Sequence, residues 1–424
     1  MMKYKRGDAV MRSMQILCID MKSFYASCTA LKKGLDPLTT YLAVVADIKR
    51  QGSVVLAATP ALKRDFDIQT GSRLFEIPRH EKIIIAQAEM KLYLQVSAEV
   101  IRLFNKYVPK EAIHIYSVDE SFLDISGAYQ LWGDAKETAQ LILEELKDTF
   151  GLSATIGIGP NMLLAKLCLD LEAKKVGIAQ WTYDDVPTKL WPVSPLSRMW
   201  GIGSRLQKRL NEMGIYTVGE LAHFSLERLE KAFGIMGNQL FYHAHGIDLS
   251  SMGDSLISNK QLSYGKSQIL LRDYHFPEDI ATVILEMCEE VGRRARADQK
   301  AGRTISLGIG YSEDVGGGGF YRSITIEQPT NITMEIYHAC MYLFHKFYCE
   351  KTVRKISVSL GNICDDQYVQ LQLFEYQRLR ERKLGYVMDA IRNKFGSDSL
   401  LRAISYTDAG TARKRNQMIG GHFA

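Results

Sequence analysis

The sequence predicts an α+β protein of several domains, in which two β-α-β-β-α-β units flank a short helical segment. Three observations lead to this fold class. Strand-like and helix-like stretches follow in that order twice along the chain. Residues 196–250 between them carry helical patterns punctuated by glycine. The 424 residues, 46% of them hydrophobic and 24% charged, are enough for about two to four domains with hydrophobic cores.

The first unit extends to about Pro195. A buried strand at 14–21 precedes a helix-compatible stretch from Lys22, and an amphipathic helix is predicted at 89–107. If the strand pair and third strand within 41–88 are an insertion, the remainder has the ferredoxin-like order. Its remaining elements are an apolar β-rich run at 112–126, a helix at 134–150, a strand at 152–159 and a helix that begins near Asn161.

Three carboxylates are predicted to meet at this sheet. Asp119 and Glu120 interrupt the apolar run, and Asp20 ends the first strand. In the ferredoxin-like order the first strand lies beside the hairpin of the next two strands, so Asp20 faces the acidic pair. Carboxylates brought together in a poorly solvated place need a compensating cation, and oxygen ligands suit Mg²⁺. The alternative is that Asp119 and Glu120 form a hairpin turn in water.

The helical segment at 196–250 contains a glycine hairpin ahead of a predicted helix at 204–213. Gly201 and Gly203 enclose one isoleucine, and Lys208 adds positive charge nearby. Such a hairpin presents backbone N–H groups that can hold a phosphate without reading bases. Two glycines before a helix are also typical of a plain turn.

The second β-α-β-β-α-β unit spans 258–364, with helices predicted at 278–299 and 332–348. No convincing repeat relates its sequence to that of the first unit. The last segment, 365–424, is polar and thinly apolar, so we expect a tail. The stretch QLQLF at 370–374 is unusual there, because its apolar side chains need a surface on which to dock.

Composition argues against several classes of protein. Seven scattered cysteines form no C-x-x-C pair, which argues against a zinc site or a disulfide framework and favours a reducing cytoplasm. No apolar run approaches the roughly 18 residues of a membrane span, and the basic start lacks the apolar stretch of a secretion signal. The net charge of +5 permits a polyanionic partner without requiring one.

Two motifs indicate a family. The first strand continues as CIDMKSFYASC at 18–28, and the acidic run reads YSVDESFLDIS at 116–126. Together they resemble the paired metal motifs of the Y-family DNA polymerases, the error-prone translesion enzymes, and the similarity extends from about residue 14 to 364. The tail resembles that of the bacterial UmuC-like (ImpB/MucB/SamB) branch. The resemblance implies a palm at 1–195 with small fingers inserted at about 41–88, a helix-hairpin-helix thumb at 196–250, a tether at 251–261, a DNA-binding little finger at 262–364 and a C-terminal tail at 365–424.

The resemblance assigns metal ligands to the two motifs. Asp20, Asp119 and Glu120 would be the catalytic carboxylates that hold two Mg²⁺ ions, with the main-chain carbonyl of Met21 as a further ligand. Two such ions can activate the primer 3′-hydroxyl and stabilise charge on the departing pyrophosphate. A bound cation would also offset the repulsion between the carboxylates.

A nucleotide sugar site is implied by the same motif. Tyr25 resembles the steric gate, an aromatic ring beneath the sugar that would clash with a 2′-hydroxyl, and Phe24 precedes it. Without the motif, such an aromatic pair would indicate core packing.

Triphosphate contacts are also implied by the resemblance. Arg64 matches the family's triphosphate-binding arginine, and Lys166 matches the lysine that reaches the β- and γ-phosphates. The family commonly has tyrosine three residues before the arginine, and Ala61 stands there in this chain. One phosphate contact is therefore in doubt, with Lys63 or Lys49 as a substitute. A surface charge on a helix is the other explanation of Arg64.

A protein partner is implied by the last segment. Gln370, Leu371, Leu373 and Phe374 resemble the Q-L-x-L-F peptide that docks in the bacterial sliding clamp, where leucine and phenylalanine fill an apolar pocket. A small tail helix is the alternative.

The resemblance also implies that the glycine hairpin of the thumb, with Gly201 and Gly203, would contact DNA phosphates.

The sequence thus predicts an error-prone, DNA-templated DNA polymerase that carries out translesion synthesis. Its expected partners are primer–template DNA, dNTPs and the sliding clamp, with an accessory subunit left open and no membrane attachment. The expected location is the cytoplasm, at the nucleoid. One alternative is a DNA-binding accessory protein whose catalysis has decayed, for which Ala61 leaves room. The other is a nuclease or another two-metal phosphotransferase, although Tyr25 and the thumb hairpin favour polymerisation.

Overall fold

A computed structural model of the chain describes residues 14–250, 252, 263–366 and 376–423. The chain divides into two compact units: unit 1 is Met1–Ser258 with His422–Ala424, and unit 2 is Asn259–Gly421. None of the helices in the described ranges is long and apolar enough to cross a membrane. The predicted tether at 251–261 lies outside those ranges, apart from Met252.

Two β-sheets organise unit 1. Its strands in chain order are β1 (Ile16–Met21), β2 (Leu42–Val45), β3 (Val55–Ala58), β4 (Ile84–Gln87), β5 (Ile113–Ile115), β6 (Glu120–Asp124), β7 (Ala154–Gly159) and β8 (Ile178–Gln180). The central sheet has the order β5-β6-β1-β7-β8, and β1 is antiparallel to both of its neighbours. This order confirms the ferredoxin-like prediction, because the first strand lies directly beside the hairpin.

The helices predicted in unit 1 at 89–107, 134–150 and 204–213 are present within one residue of those bounds. In chain order they are α1 (Phe24–Lys32), α2 (Pro60–Phe66), α3 (Met90–Tyr107), α4 (Tyr129–Trp132), α5 (Ala135–Phe150), α6 (Met162–Cys168), α7 (Lys174–Val176), α8 (Ser204–Glu212), α9 (Val218–Ala222), α10 (Leu226–Phe233) and α11 (Ile235–Ala244). The carboxylate of Asp134 caps α5 by accepting hydrogen bonds from the backbone N–H groups of Lys136 and Glu137. Gly151 ends the same helix with φ +68°.

Two glycines allow α6 to lie against the central sheet. A Cβ atom on Gly157 would lie 2.3 Å from the carbonyl oxygen of Ala165, and one on Gly159 would lie 2.4 Å from the backbone nitrogen of Ala165. Both contacts are with backbone, so a side chain at either position would push the helix away. Every residue of α6 is buried, and Lys166 is thereby held close to the strands that carry the carboxylates.

Residues 41–88 form a separate small sheet, as the predicted insertion requires. Its order is β3-β2-β4, with β2 and β3 antiparallel and β4 parallel to β2. Leu62 of α2 packs in a small core with Val45, Val55 and Ala58. The sequence indicates the strand pair and the third strand but not the parallel pairing, because nothing local specifies a partner that lies far away in the chain.

Residues 196–250 are helical, as predicted, and comprise α8 to α11. Leu210, Leu221, Leu229 and Leu240 are buried and belong to the same hydrophobic core as the residues of α6. These helices are therefore part of unit 1.

Unit 2 contains a four-stranded antiparallel sheet with helices. Its elements in chain order are β9 (Ser263–Tyr274), α12 (Pro277–Ala297), β10 (Lys300–Tyr311), β11 (Gly319–Thr330), α13 (Thr333–Phe347), β12 (Val353–Asp365), α14 (Tyr376–Phe395), α15 (Ala412–Arg415) and β13 (Met418–Ile419). The last strand, β14 (His422–Phe423), belongs to unit 1. The sheet order is β11-β10-β12-β9. The predicted β-α-β-β-α-β sequence of elements is confirmed, but the second and fourth strands are central here, whereas the first and third are central in unit 1.

The described residues 376–421 of the last segment are folded against α12, which differs from the expected polar tail. Arg296 of α12 donates a hydrogen bond to Asp389 of α14 at 2.6 Å, and the Arg296 side chain is only 2% exposed. Glu286 of α12 accepts a hydrogen bond from the backbone N–H of Thr411 at 2.9 Å. Because this packing on α12 uses buried polar pairs, the sequence of the segment has no apolar stripe. Hydrophobic periodicity therefore does not predict that the segment packs there.

Candidate active site

The pairing of β1 with β6 brings the three acidic residues to one place. Asp20 and Glu120 are cross-strand partners. The backbone N–H of Met21 donates a hydrogen bond to the carbonyl of Asp119 at 3.0 Å, which fixes the turn beside them. The sequence-predicted neighbours therefore lie together, because the ferredoxin-like strand order places one strand beside the other.

Asp20 forms an ion pair with Lys174. The ammonium of Lys174 lies 3.0 Å from the Asp20 carboxylate and 2.7 Å from that of Asp170. Burial raises the pKa of Asp20 above its ordinary value, and the ammonium of Lys174 opposes that rise. A cation at this position therefore favours the ionised carboxylate.

Glu120 is held by a second lysine. Its carboxylate lies 2.8 Å from the ammonium of Lys166 and accepts a weak hydrogen bond from the Cys18 thiol at 3.2 Å. The side chains of Lys166 and Glu120 are 10% and 11% exposed. Burial alone would lower the pKa of Lys166, but the carboxylates of Glu120 and Asp170 raise it. Lys166 is thus a charged group enclosed by carboxylates.

The donor set has the chemistry of a divalent metal site, although its side chains have other partners. Asp119 accepts a hydrogen bond from the Ser117 hydroxyl at 2.6 Å. Lys174 forms an ion pair with Asp20, and Lys166 forms one with Glu120. Over the described residues, no three acidic, histidine or cysteine side chains are already arranged to hold a metal ion. Carboxylate and carbonyl oxygens are the ligands that Mg²⁺ takes, so the residue types fit such an ion. The two ammonium groups supply the compensating charge in this arrangement.

A cleft of about 700 Å³ opens beside the carboxylates. Asp20 and Asp119 line it, together with the first residues of α1 and with residues of α2. Among the described lysines, Lys22, Lys63 and Lys174 line this cleft, and Lys166 does not. The cleft thus combines two carboxylates with several cations.

Tyr25 is positioned in the cleft by a stacked ring. Its ring lies 4.3 Å from that of Tyr93 at an interplanar angle of 12°. Tyr93 is fully buried, and its hydroxyl shares a 2.8 Å hydrogen bond with Thr29. Phe24, in contrast, is 2% exposed and is mainly a core residue, although it contributes to the cleft wall. Burial, followed by the nearby charge of Asp119, raises the pKa of Tyr25.

The cations of α2 differ in their surroundings. Arg64 lines the cleft, but its guanidinium forms two hydrogen bonds with the adjacent Asp65, at 2.7 and 3.0 Å. Ala61 is buried at 1% exposure. Lys63 donates a hydrogen bond to the Ser23 hydroxyl at 3.0 Å. Lys49 is exposed and does not line the cleft.

Sequence reasoning did not single out Lys174. A signal was available, because Lys166, Asp170 and Lys174 recur at spacings of four residues and therefore lie on one face of a helical stretch. In the structure Asp170 lies within reach of both lysines, at 3.2 Å from Lys166 and 2.7 Å from Lys174. Lys166, Asp170 and Lys174 thus form a lysine ladder, in which Lys166 contacts Glu120 and Lys174 contacts Asp20.

The glycine hairpin lies at the start of α8. Gly201 has φ +91°, a backbone conformation that favours glycine, and Gly203 is the N-cap residue. Both glycines and Lys208 are exposed, and a Cβ atom on either glycine would meet open space. The N-terminus of α8 has no side-chain cap, so its N–H groups are accessible to a ligand.

The predicted clamp peptide, residues 370–374, lies outside the described ranges.

Comparisons with known proteins identify the family of the chain. The impB/mucB/samB family model matches residues 19–170, the model of its C-terminal domain matches 261–373, and a DNA polymerase-iota thumb model matches 198–248. The chain is 60% identical to the Bacillus subtilis (strain 168) protein UvrX, whose name refers to UV-damage repair, over 96% of this chain and 97% of that protein. It is 37% identical to DNA polymerase IV 2 of the same organism, over 98% and 100% of the two chains.

A solved structure shares the fold. A Y-family DNA polymerase chimera aligns with a TM-score of 0.64 at 20% sequence identity, covering 83% of this chain and all of the chimera. At this identity the match is evidence for the fold alone.

Proposed function

Because the chain belongs to the impB/mucB/samB family of Y-family DNA polymerases, we propose that Asp20, Asp119 and Glu120 form its polymerase active site. The protein is a DNA-directed DNA polymerase of translesion synthesis in DNA repair. The observation that carries the assignment of the site is the cross-strand pairing of Asp20 with Glu120, next to a cleft that Asp20, Asp119 and Tyr25 line.

Dependence on divalent metal is general in this family. We propose that the metal is Mg²⁺ and that the carboxylates of Asp20, Asp119 and Glu120, with the carbonyl of Met21, hold two ions. When bound by these residues, Mg²⁺ would supply Lewis acidity for activating a primer 3′-hydroxyl and for offsetting charge on pyrophosphate. Burial raises the pKa of Asp20, so a nearby cation would stabilise the ionised carboxylate.

The two lysines of the ladder have different roles in this proposal. Lys166 is buried between Glu120 and Asp170, and it orients the Glu120 carboxylate. Lys174 lines the cleft and is the better placed of the two to face the triphosphate of an incoming dNTP. That Lys166 itself reaches the β- and γ-phosphates stays a prediction, and the variants described below distinguish the two assignments.

Tyr25 selects the sugar. Its ring lines the cleft, and stacking on the buried Tyr93 restricts its movement. A ring held in this way cannot retreat from a 2′-hydroxyl, so a ribonucleotide would clash with it. Phe24 supports the backbone of this segment from the core.

DNA and protein partners are proposed for the remaining predicted residues. Template DNA binding follows from the family, and the exposed hairpin of Gly201 and Gly203 with Lys208 would hold a backbone phosphate. Residues 370–374 would dock in the bacterial sliding clamp. An accessory subunit and a cytoplasmic, nucleoid-associated location stay predictions.

Primer extension on undamaged and abasic templates tests the proposed function. The wild-type chain with Mg²⁺ and dNTPs is expected to lengthen the primer on both templates. Without dNTPs the primer should remain intact, because a polymerase site of this kind does not hydrolyse it. Primer shortening would instead indicate a nuclease. Binding of primer–template without extension would indicate an accessory protein.

A further inference from the structure

Lys63 projects from α2 into the cleft and has a defined position. Its backbone N–H donates to the carbonyl of Thr59 at 3.0 Å, which places it in the first turns of the helix. Its ammonium donates to the Ser23 hydroxyl, also at 3.0 Å. Ser23 precedes α1 in the left-handed conformation, with φ +48°, and its side chain does not cap the helix. The hydroxyl of Ser23 is therefore available to hold the lysine.

The charge of Lys63 is poorly compensated. Within the described ranges, its ammonium forms no ion pair with a carboxylate. Burial lowers its pKa, the carboxylate of Asp20 raises it, and the ammonium of Lys174 lowers it. A half-buried cation whose described hydrogen-bond partner is a neutral hydroxyl gains from an anion in the same cleft.

The residues next to Lys63 on α2 do not offer an uncompensated cation to an anion in the cleft. Arg64 already donates two hydrogen bonds to Asp65, which also accepts one from the Tyr41 hydroxyl at 2.9 Å. Ala61 has no polar side chain and is buried. Of the two lysines that the sequence left open as substitutes, Lys63 lines the cleft and Lys49 does not.

We propose that Lys63, held by Ser23, binds the triphosphate of the incoming nucleotide in place of the tyrosine that Ala61 replaces. The inference rests on the proposed polymerase function and adds a residue to its nucleotide site. A cation on α2 supplies a charge-assisted hydrogen bond where the family has a neutral hydroxyl. Lys63 and Lys174 both line the cleft, and they are carried by different helices, α2 and α7.

Single-nucleotide incorporation by the full chain tests this assignment. We would measure kcat and KM for one dNTP with wild type, Lys63→Ala, Lys63→Arg and Lys49→Ala. A lost charge-assisted hydrogen bond predicts a KM about 10- to 100-fold higher for Lys63→Ala, with a much smaller change in kcat. Lys63→Arg should restore most of the affinity, and Lys49→Ala should match wild type because Lys49 does not line the cleft.

Failure of this inference is distinguishable from failure of the proposed function. An active wild type whose KM is unchanged in Lys63→Ala would overturn the role of Lys63 alone, whereas a wild type that incorporates nothing would overturn the function. If Lys63→Ala does not fold, Lys63→Gln keeps a hydrogen-bonding side chain without the charge and should raise KM in the same way.

A second measurement reports nucleotide binding without nucleotide incorporation. With a dideoxy-terminated primer, dNTP binding is expected to raise the melting temperature of the wild-type complex and to do so much less for Lys63→Ala. Ser23→Ala should raise KM by a smaller factor than Lys63→Ala, and it should add nothing in the double variant if it acts by holding the lysine. Full additivity of the two effects would overturn this positioning role of Ser23.

Discussion

At the scale of single residues, Tyr25 is fixed by ring stacking. Removing its ring while keeping Tyr93 opens the sugar position, so Tyr25→Ala is expected to admit ribonucleotides. We expect the ratio of kcat/KM for dNTP over rNTP to fall by at least about tenfold. Tyr93→Phe keeps the stacked ring and removes only the hydroxyl bonded to Thr29, and it should retain the wild-type ratio. Unchanged sugar discrimination in Tyr25→Ala would show that another group forms the gate.

Lys166 and Lys174 give a second test at this scale. Lys174→Ala is expected to raise KM for dNTP, because it removes a cation from the cleft lining. Lys166→Met leaves the buried Glu120 carboxylate without its ammonium, so kcat and stability should fall instead, the latter by about 3–5 kcal/mol. Steady-state incorporation kinetics and thermal unfolding separate the two effects. The reverse pattern, with KM raised only by the Lys166 variant, would assign the triphosphate contact to Lys166.

At the scale of elements, the contact of α6 with the central sheet positions Lys166. A Cβ atom on Gly159 would lie 2.4 Å from backbone, so Gly159→Ala should destabilise unit 1 by about 1–3 kcal/mol or more. Gly127→Ala, where nothing lies within 4 Å of the added atom, is the matched control. Urea unfolding followed by tryptophan fluorescence reports on unit 1, because all 4 tryptophans of the chain lie in it. Equal stability of the two variants would contradict this steric account.

The sequence predicts these elements to different extents. The strand of Asp20, the acidic hairpin and the helices at 89–107 and 134–150 follow from periodicity and caps, and the ferredoxin-like order then brings the carboxylates together. The lysine partner of Asp20 does not follow from the sequence, because the contact with Lys174 depends on how the helical stretch after α6 packs against β1. Side-chain partners of this kind are set by tertiary packing, which local patterns do not encode.

At the scale of the whole molecule, the two units repeat one order of elements with different strand orders. Periodicity specifies where strands and helices form, whereas strand order depends on which strands pair across the sheet. The segment 376–421 was expected to be a tail, and it is held on α12 by buried pairs such as Arg296 with Asp389. Polar pairs between elements that are distant in sequence leave no periodic signal, so this part of the fold was not predictable.

The clamp peptide is a prediction about the whole molecule, because it concerns a partner. Replacing Leu373 and Phe374 by Ala is expected to weaken binding to the bacterial sliding clamp by at least about tenfold, since both side chains would fill an apolar pocket. Direct binding is the measurement, and synthesis without the clamp should persist. Alanine at Leu384 and Val387, exposed apolar residues of α14, provides the control. Undiminished affinity of the Leu373 and Phe374 variant would assign another role to the peptide.

The central claim is that the acidic hairpin beside β1 is the polymerase active site, and Asp119→Asn tests it most directly. The measurement is the rate of one dNTP incorporation at saturating primer–template. Asp124→Asn, at the far end of β6, is the control, because the Asp124 side chain accepts hydrogen bonds only from nearby Ser126 among its described partners. We predict that Asp119→Asn loses at least about 10²- to 10³-fold in rate while DNA affinity persists, and that Asp124→Asn stays near wild type. A wild-type rate in Asp119→Asn would contradict the account.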